Sequence, residues 1–278
     1  MSSELAHMEF LAEGRMSQVY LLADGRVLKL LLPSVPDDKV DDEFRRCQLV
    51  RKAGARTPRA LGVVELEGRR GIVFEWAGDS DLMNAKLQNP LNVASGARFM
   101  ARVQKEYLSL EAQGLPDIRE EALRMIRLLP EGTLEPEQYA RLERSVARLP
   151  DGNKVCHMDF HPGNILLGSG DYDAYQVIDW AEAVRGAPEA DIAMTSLILS
   201  MAEEAPGTNL LLRILIPMFR KQFERHYKAE MLGSLDTMTD ARVSQWTLVA
   251  AISRMHMWKL DSEYPFLRDL IQEELRQA

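Results

Sequence analysis

The sequence predicts a mixed α+β protein in two parts: a strand-rich first part with one helix, over about 1–77, and a larger, mostly helical second part over about 78–278. Three observations predict it. Short β-branched and aromatic stretches separated by hairpin dipeptides fill the first part. Apolar residues recur at helical spacing through most of the second. Charge is also uneven: residues 1–77 carry 12 basic and 12 acidic residues and residues 78–278 carry 22 and 30, so the net charge of −8 belongs entirely to the second part.

In the first part, Val19 to Ala23, Gly25 to Leu31, Ala60 to Glu65 and Arg70 to Trp76 read as antiparallel strands, with Asp24-Gly25 and Glu67-Gly68 as hairpin turns. One helix interrupts them from about Asp41 to Ala53. Acidic residues occupy its first turn, Arg51 and Lys52 its last, and Gly54 stands where a C-cap is needed. In the second part the spacing predicts helices over 96–114, 117–129, 135–148, 189–204, 208–231, 240–260 and 265–276. Its middle differs: Asn164 to Leu167 and Gln176 to Ile178, separated by Gly168 to Asp171, read as a small hairpin.

At 278 residues, 46% hydrophobic and 27% charged, the chain has the composition of a globular protein of about two domains. The acidic balance, with a pI near 5.3, argues against a nucleic-acid partner. The opening MSSELAHMEF lacks a basic start followed by an apolar run, and the longest apolar stretch, Leu210 to Phe219, falls short of the ~20 residues of a membrane span. No membrane association and a cytoplasmic location are expected. Cys47 and Cys156 stand far apart with no metal spacing, so a disulfide framework has no support.

The densest polar cluster is Cys156 to Leu167, CHMDFHPGNILL, followed after the hairpin by Val177 to Trp180, VIDW. Phosphoryl transfer from a nucleotide needs a carboxylate to orient an attacking hydroxyl and oxygen ligands to hold Mg²⁺ on the phosphates. Asp159, Asn164 and Asp179 can supply that set, and Pro162-Gly163 suits the turn that aims them. Two other readings compete. Asp and Asn in a Pro-Gly loop are ordinary turn formers, and His157, Asp159 and His161 would share one face of a strand, as a hydrolytic metal centre needs; Pro162 and Gly163, however, end any strand there. In the first part, Gly14 permits a sharp turn in Ala12 to Tyr20, and backbone N–H groups near Ser17 can cover phosphates. Lys29, set among apolar residues, either snorkels outward or pairs with a carboxylate of the helix. Glu43 is a suitable partner, with Asp41 and Asp42 as competitors.

In these elements the chain resembles the aminoglycoside phosphotransferase and choline kinase-like family, whose fold is similar to that of eukaryotic protein kinases. The resemblance rests on His157-x-Asp159-x-x-x-x-Asn164, on Ile178-Asp179-Trp180 and on Gly186-x-Pro188-x-x-Asp191-Ile192-Ala193. Gly14-x-x-Ser17-x-Val19-Tyr20, Lys29 and Glu43 precede them in the family's order. It implies a bilobal kinase-like fold with the nucleotide, ATP or GTP, between a nucleotide-binding lobe of 1–77 and a catalytic and acceptor-binding lobe of 78–278. It implies Asp159 as catalytic base, Asn164 and Asp179 as Mg²⁺ ligands, and Lys29 with Glu43 as the phosphate-positioning pair. Phe74 to Ala77, with Glu75, Trp76 and Ala77, would form the hinge that meets the adenine. The chain departs from the family at Met158, where glycine is usual. Asp191 is expected to tie the loop after Asp179 to the helix beside it.

The expected activity is transfer of a nucleotide γ-phosphate to a hydroxyl of a small acceptor. Residues 151–204 hold ten acids against two bases, a field that favours a cationic aminosugar or amino alcohol. Trp180, Trp246, Trp258, Tyr264 and Phe266 are either acceptor-cleft aromatics or core. Two rivals stand beside this reading. A protein Ser/Thr kinase-like activity is disfavoured because no Ala-Pro-Glu segment follows Asp179; a nucleotide-binding regulator is disfavoured because Asp159, Asn164, Asp179 and Lys29 are all present.

Overall fold

The computed structural model describes residues 4–130, 132–168, 172–201, 210–232, 239–258 and 262–277. The chain runs through β1 (Glu9–Glu13), β2 (Ser17–Leu21), β3 (Val27–Leu31), α1 (Asp38–Ala53), β4 (Ala60–Leu66), β5 (Arg69–Phe74) and β6 (Ser80–Asp81). Helices α2 (Val93–Leu108), α3 (Ile118–Arg127) and α4 (Pro136–Ala147) follow, then β7 (Lys154–Cys156), β8 (Ile165–Leu167), β9 (Tyr175–Val177) and β10 (Val184–Gly186). The chain continues through α5 (Pro188–Met201), α6 (Leu210–Leu232), α7 (Asp240–Ser244), α8 (Thr247–Trp258) and α9 (Tyr264–Gln277). No helix among the described residues is long and apolar enough to cross a membrane.

These elements form two compact units. The first comprises residues 1–85 and 163–182, the second residues 86–162 and 183–278. This grouping differs from a single cut after residue 77, because β8 pairs with β6 and the turn at Trp180–Glu182 packs on α1.

The first unit is an antiparallel sheet in the order β1-β2-β3-β5-β4. Its turns follow from their residues. Glu67 and Gly68 both take positive φ, 52° and 72°, which a two-residue hairpin loop requires. On one face Tyr20, Leu28, Leu30 and Val73 form a buried cluster. Helix α1 packs against β4 and β5. It begins at Asp38, three residues before the expected start, and ends as predicted on Gly54 in the left-handed conformation, whose N–H donates to the Arg51 and Val50 carbonyls. Strand β1 was not anticipated: all five of its residues are exposed, so it carries no alternation to read.

The second unit is mostly helical. Helix α2 packs on α6, α5 on α8, α8 on α9 and α3 on α4. Two departures from the expected helices have local causes. The predicted 96–114 helix stops at Leu108, where Ser109 caps the backbone and its Oγ also donates to the Glu106 carbonyl. The predicted 240–260 helix is two, α7 and α8, separated at Gln245 and Trp246, with Trp246 turned fully into the core. The pairing of β7 with β10 was also unforeseen, since three-residue strands are too short to show a period. Positions 169–171 of the hairpin loop and Glu203 and Glu204 lie outside the described residues.

Candidate functional site

In the first unit the geometry centres on Lys29. It projects from the middle of β3, paired across the sheet with Val19 and Ile72. Its Nζ lies 2.7 Å from Glu43 Oε1 and 2.8 Å from Asp179 Oδ1. Helical phase selects Glu43 over its neighbours: Val40, Glu43, Cys47 and Val50 form the buried face of α1. Asp41 instead forms a two-bond pair with Arg70 at 2.7 and 2.8 Å, and Asp42 is exposed. Burial alone would depress the Lys29 ammonium, but the Asp179 and Glu43 carboxylates reverse this and hold it above the ordinary lysine value. Burial pushes the Glu43 carboxyl up, against the pull of Lys29.

Asn164 and Asp179 stand at one end of the β8–β9 hairpin. Ile165 pairs with Val177, and the Ile178 amide donates to the Asn164 carbonyl at 3.0 Å, so the register places Asn164 opposite Ile178 with Asp179 next along the chain. Asn164 is buried, and Asp179 adopts φ 64°, a left-handed turn that ends the hairpin and directs its carboxylate to Lys29. Trp180 anchors the turn, donating from Nε1 to the Val177 carbonyl at 2.9 Å.

In the second unit, residues 157–161 form a loop after β7 rather than a strand, so His157, Asp159 and His161 have no common strand face. No cluster of metal-binding side chains occurs among the described residues. The Asp159 amide donates to His157 Nδ1 at 3.2 Å, and the buried imidazole packs against Tyr107 and Phe160. Between them Met158 is buried and takes φ 64°. Its amide donates to Asp191 Oδ1 at 2.7 Å. Asp191 therefore braces the loop before Asn164, correcting the expectation that it ties down the loop after Asp179. Its other oxygen, Oδ2, accepts from the Tyr107 hydroxyl at 2.5 Å and from Gln104 Nε2 at 2.9 Å.

The family model described as "Phosphotransferase enzyme family" matches residues 7–236. The chain belongs to that family. No curated protein matches this phosphotransferase. Its fold is shared with aminoglycoside phosphotransferase APH(4)-Ia, solved as a thermostable mutant, at 16% identity and a TM-score of 0.62, over 97% of this chain and 94% of that one. Aminoglycoside phosphotransferase APH(3'')-Id from Streptomyces rimosus is 20% identical, with a TM-score of 0.57 over 89% and 93% of the two chains. A candidate fructosamine-3-kinase from Haemophilus somnus is 14% identical, with a TM-score of 0.59 over 96% and 90%. The S. rimosus enzyme has also been solved with ADP and streptomycin.

The remaining expected residues of the phosphotransferase fall as follows. Ser17 is buried at the start of β2, where the Gly14 amide donates to its carbonyl at 2.8 Å and closes the β1–β2 turn. The Glu75 amide is taken by the Arg59 carbonyl and its side chain pairs with Arg59 on the surface. Trp76 is 40% exposed and its Nε1 donates to Asp79. Trp76 and Ala77 lie in the loop that follows β5.

Several of the acids of 151–204 have structural partners. Asp191 is bonded within the core, Glu189 is buried against Arg242 at 2.5 Å, and Asp151 pairs with Arg119 at 3.0 Å. Among the aromatics, Trp180 and Trp246 are core, and Tyr264 pairs through its hydroxyl with Thr133; Phe266 is exposed. The Trp258 side chain lies outside the described residues. Sequence reasoning passed over Gln104, Tyr107 and Tyr227, which stand behind Asp191. No local motif marks them, because their partners are 84 to 123 positions away.

Proposed function

We propose that this phosphotransferase moves the γ-phosphoryl group of ATP or GTP to a hydroxyl of a small, hydroxylated amine. The observation that carries the reading is Lys29 held between Glu43 and Asp179 beside Asn164. A lysine fixed in this way is a point charge for phosphates. Asn164 and Asp179 offer the hard oxygen donors, one amide and one carboxylate, that Mg²⁺ accepts while keeping positions for phosphate and water, so the residues fit that ion. Bound there, Mg²⁺ supplies neutralisation of charge on the phosphates.

The chain's own residues supply the rest. Lys29 positions the phosphates, Ser17 and the β1–β2 turn cover them, and the backbone of Glu75, Trp76 and Ala77 meets the base, Glu75 through its carbonyl since its amide is occupied. Residues 1–77 thus serve the nucleotide and residues 78–278 the acceptor and the transfer. Asp159 orients the acceptor hydroxyl and takes its proton as the new O–P bond forms, the bond to the bridging oxygen breaks, and the nucleoside diphosphate leaves. The ten acids against two bases in residues 151–204 favour a cationic acceptor, in keeping with the streptomycin bound by the S. rimosus enzyme.

The test is transfer of labelled γ-phosphate from ATP and from GTP across a panel of aminoglycosides and amino alcohols. A labelled product is expected from the parent protein, and Asp159→Ala should lower its rate by about 10²- to 10⁴-fold while nucleotide still binds. Nucleotide binding without transfer to any acceptor would replace this reading with a nucleotide-binding regulator.

A further inference from the structure

We infer that Tyr227 and Gln104 are positioning residues for Asp159. The inference rests on the reading of Asp159 as the base. A continuous line of hydrogen bonds leads from α6 to the loop, entirely within the second unit. The Tyr227 hydroxyl donates to Gln104 Oε1. Gln104 Nε2 donates to Asp191 Oδ2 at 2.9 Å and to Thr195 Oγ1 at 3.0 Å. Asp191 Oδ1 then accepts the Met158 amide at 2.7 Å, and Met158 is the residue before Asp159.

The burial and the loop's conformation give this line its consequence. Tyr227, Gln104, Asp191 and Thr195 each have no exposed surface, so a lost bond is not replaced by water. Met158 sits at φ 64°, a conformation that a side chain disfavours and that persists only where surrounding contacts impose it. The Asp191 carboxylate is the contact that holds its amide. Gln104 fixes that carboxylate, and because an amide side chain can rotate to offer either end, the Tyr227 hydroxyl decides which end faces Asp191. With Tyr227 donating, the Gln104 oxygen points away from Asp191 and its NH₂ points toward it. Burial and the nearby Asp191 charge raise the Tyr227 phenol well above its ordinary value, so it stays a donor. The loop before the reacting carboxylate is thereby set from a helix about 70 residues further along the chain.

Tyr227→Phe and Gln104→Met remove this bonding with little change of volume. Two readouts decide: hydrogen exchange of peptides spanning 157–160, and formation of ADP from magnesium-ATP with water and with streptomycin as acceptors. Both variants should exchange that peptide about fivefold faster or more, the loss of roughly one buried hydrogen bond. They should also lose about 10- to 100-fold in kcat, with the nucleotide KM within about twofold, as displacement of a reacting group does. Thr133→Val, which removes another buried hydroxyl pairing in the same unit, serves as the control and should lower thermal stability without changing either readout. Parental exchange at 157–160, faster exchange with parental turnover, or equal effects from Thr133→Val would each overturn the inference. Should the parent protein turn over no nucleotide at all, the proposed function falls, while the exchange comparison still decides whether Tyr227 and Gln104 hold the loop.

Discussion

The Met158 amide donates to Asp191 Oδ1 at 2.7 Å while Met158 itself holds a left-handed φ of 64°. The two facts explain why the family usually places glycine here and how this chain does without it. A left-handed residue with a side chain costs about 1–2 kcal/mol. Deleting a buried methionine side chain costs about 2–5 kcal/mol, and here 3% of Met158 is exposed. Burial therefore outweighs strain. Met158→Gly should lower unfolding stability by about 1–3 kcal/mol, read by denaturant titration, although it restores the family's residue. A stabilised variant would show that the side chain contributes less than its strain costs.

Lys29 faces two carboxylates, and its removal should be costlier than removal of the whole pair. With Glu43 almost fully buried, Lys29→Met leaves a carboxylate without its nearest cation, a change that costs about 3–5 kcal/mol when a buried pair is broken. Replacing both, Lys29→Met with Glu43→Leu, removes the stranded charge and should recover much of that loss. Thermal melts of the parent, the single variant and the double variant check this. A double variant less stable than Lys29→Met would mean that Glu43 has other partners of equal weight. Neither variant should keep the parent's nucleotide affinity, measurable by titration with ATP.

How far the sequence could be read depended on the range of each signal. Helix α1 was legible because acidic residues in its first turn, Arg51 and Lys52 in its last and Gly54 just beyond mark its two ends. The choice of Glu43 over Asp41 and Asp42 was left open, although helical phase decides it: Glu43 shares the buried face with Val40, Cys47 and Val50, while Arg70 in β5 takes Asp41. The loop residues Asp159, Asn164 and Asp179 were legible as a set of types in order. That Asp179 would reach Lys29, 150 positions away, was not, because no local pattern encodes a contact of that span. Asp191 shows the intermediate case: its place in a motif was visible, but its partner was misjudged, because the β7–β10 pairing that brings α5 back toward Met158 involves strands too short to announce themselves.

Asp117 should contribute stability to the second unit that is lost in acid. It caps α3, accepting from the Arg119 amide at 2.9 Å, and its other oxygen accepts from Arg185 at 2.7 Å, which links the helix start to β10. Burial pushes its carboxyl up, but the donors of Arg119 and Glu120 and the cation of Arg119 pull it further down, to below its ordinary 3.8. The folded chain thus keeps this proton off more strongly than the unfolded chain. The resulting stability is fully present above the unfolded value and is lost as pH falls through the lower folded one. Asp117→Asn retains one capping oxygen and removes the charge together with the acceptor that faces Arg185. It should cost about 1–2 kcal/mol near neutral pH, the loss of one charge-assisted bond. The difference from the parent should shrink as the pH drops below about 3.9, where the unfolded carboxyl is itself protonated. Chemical denaturation at a series of pH values checks both the size and the sign, and a difference that grows toward acid would assign the acid limb to another carboxylate.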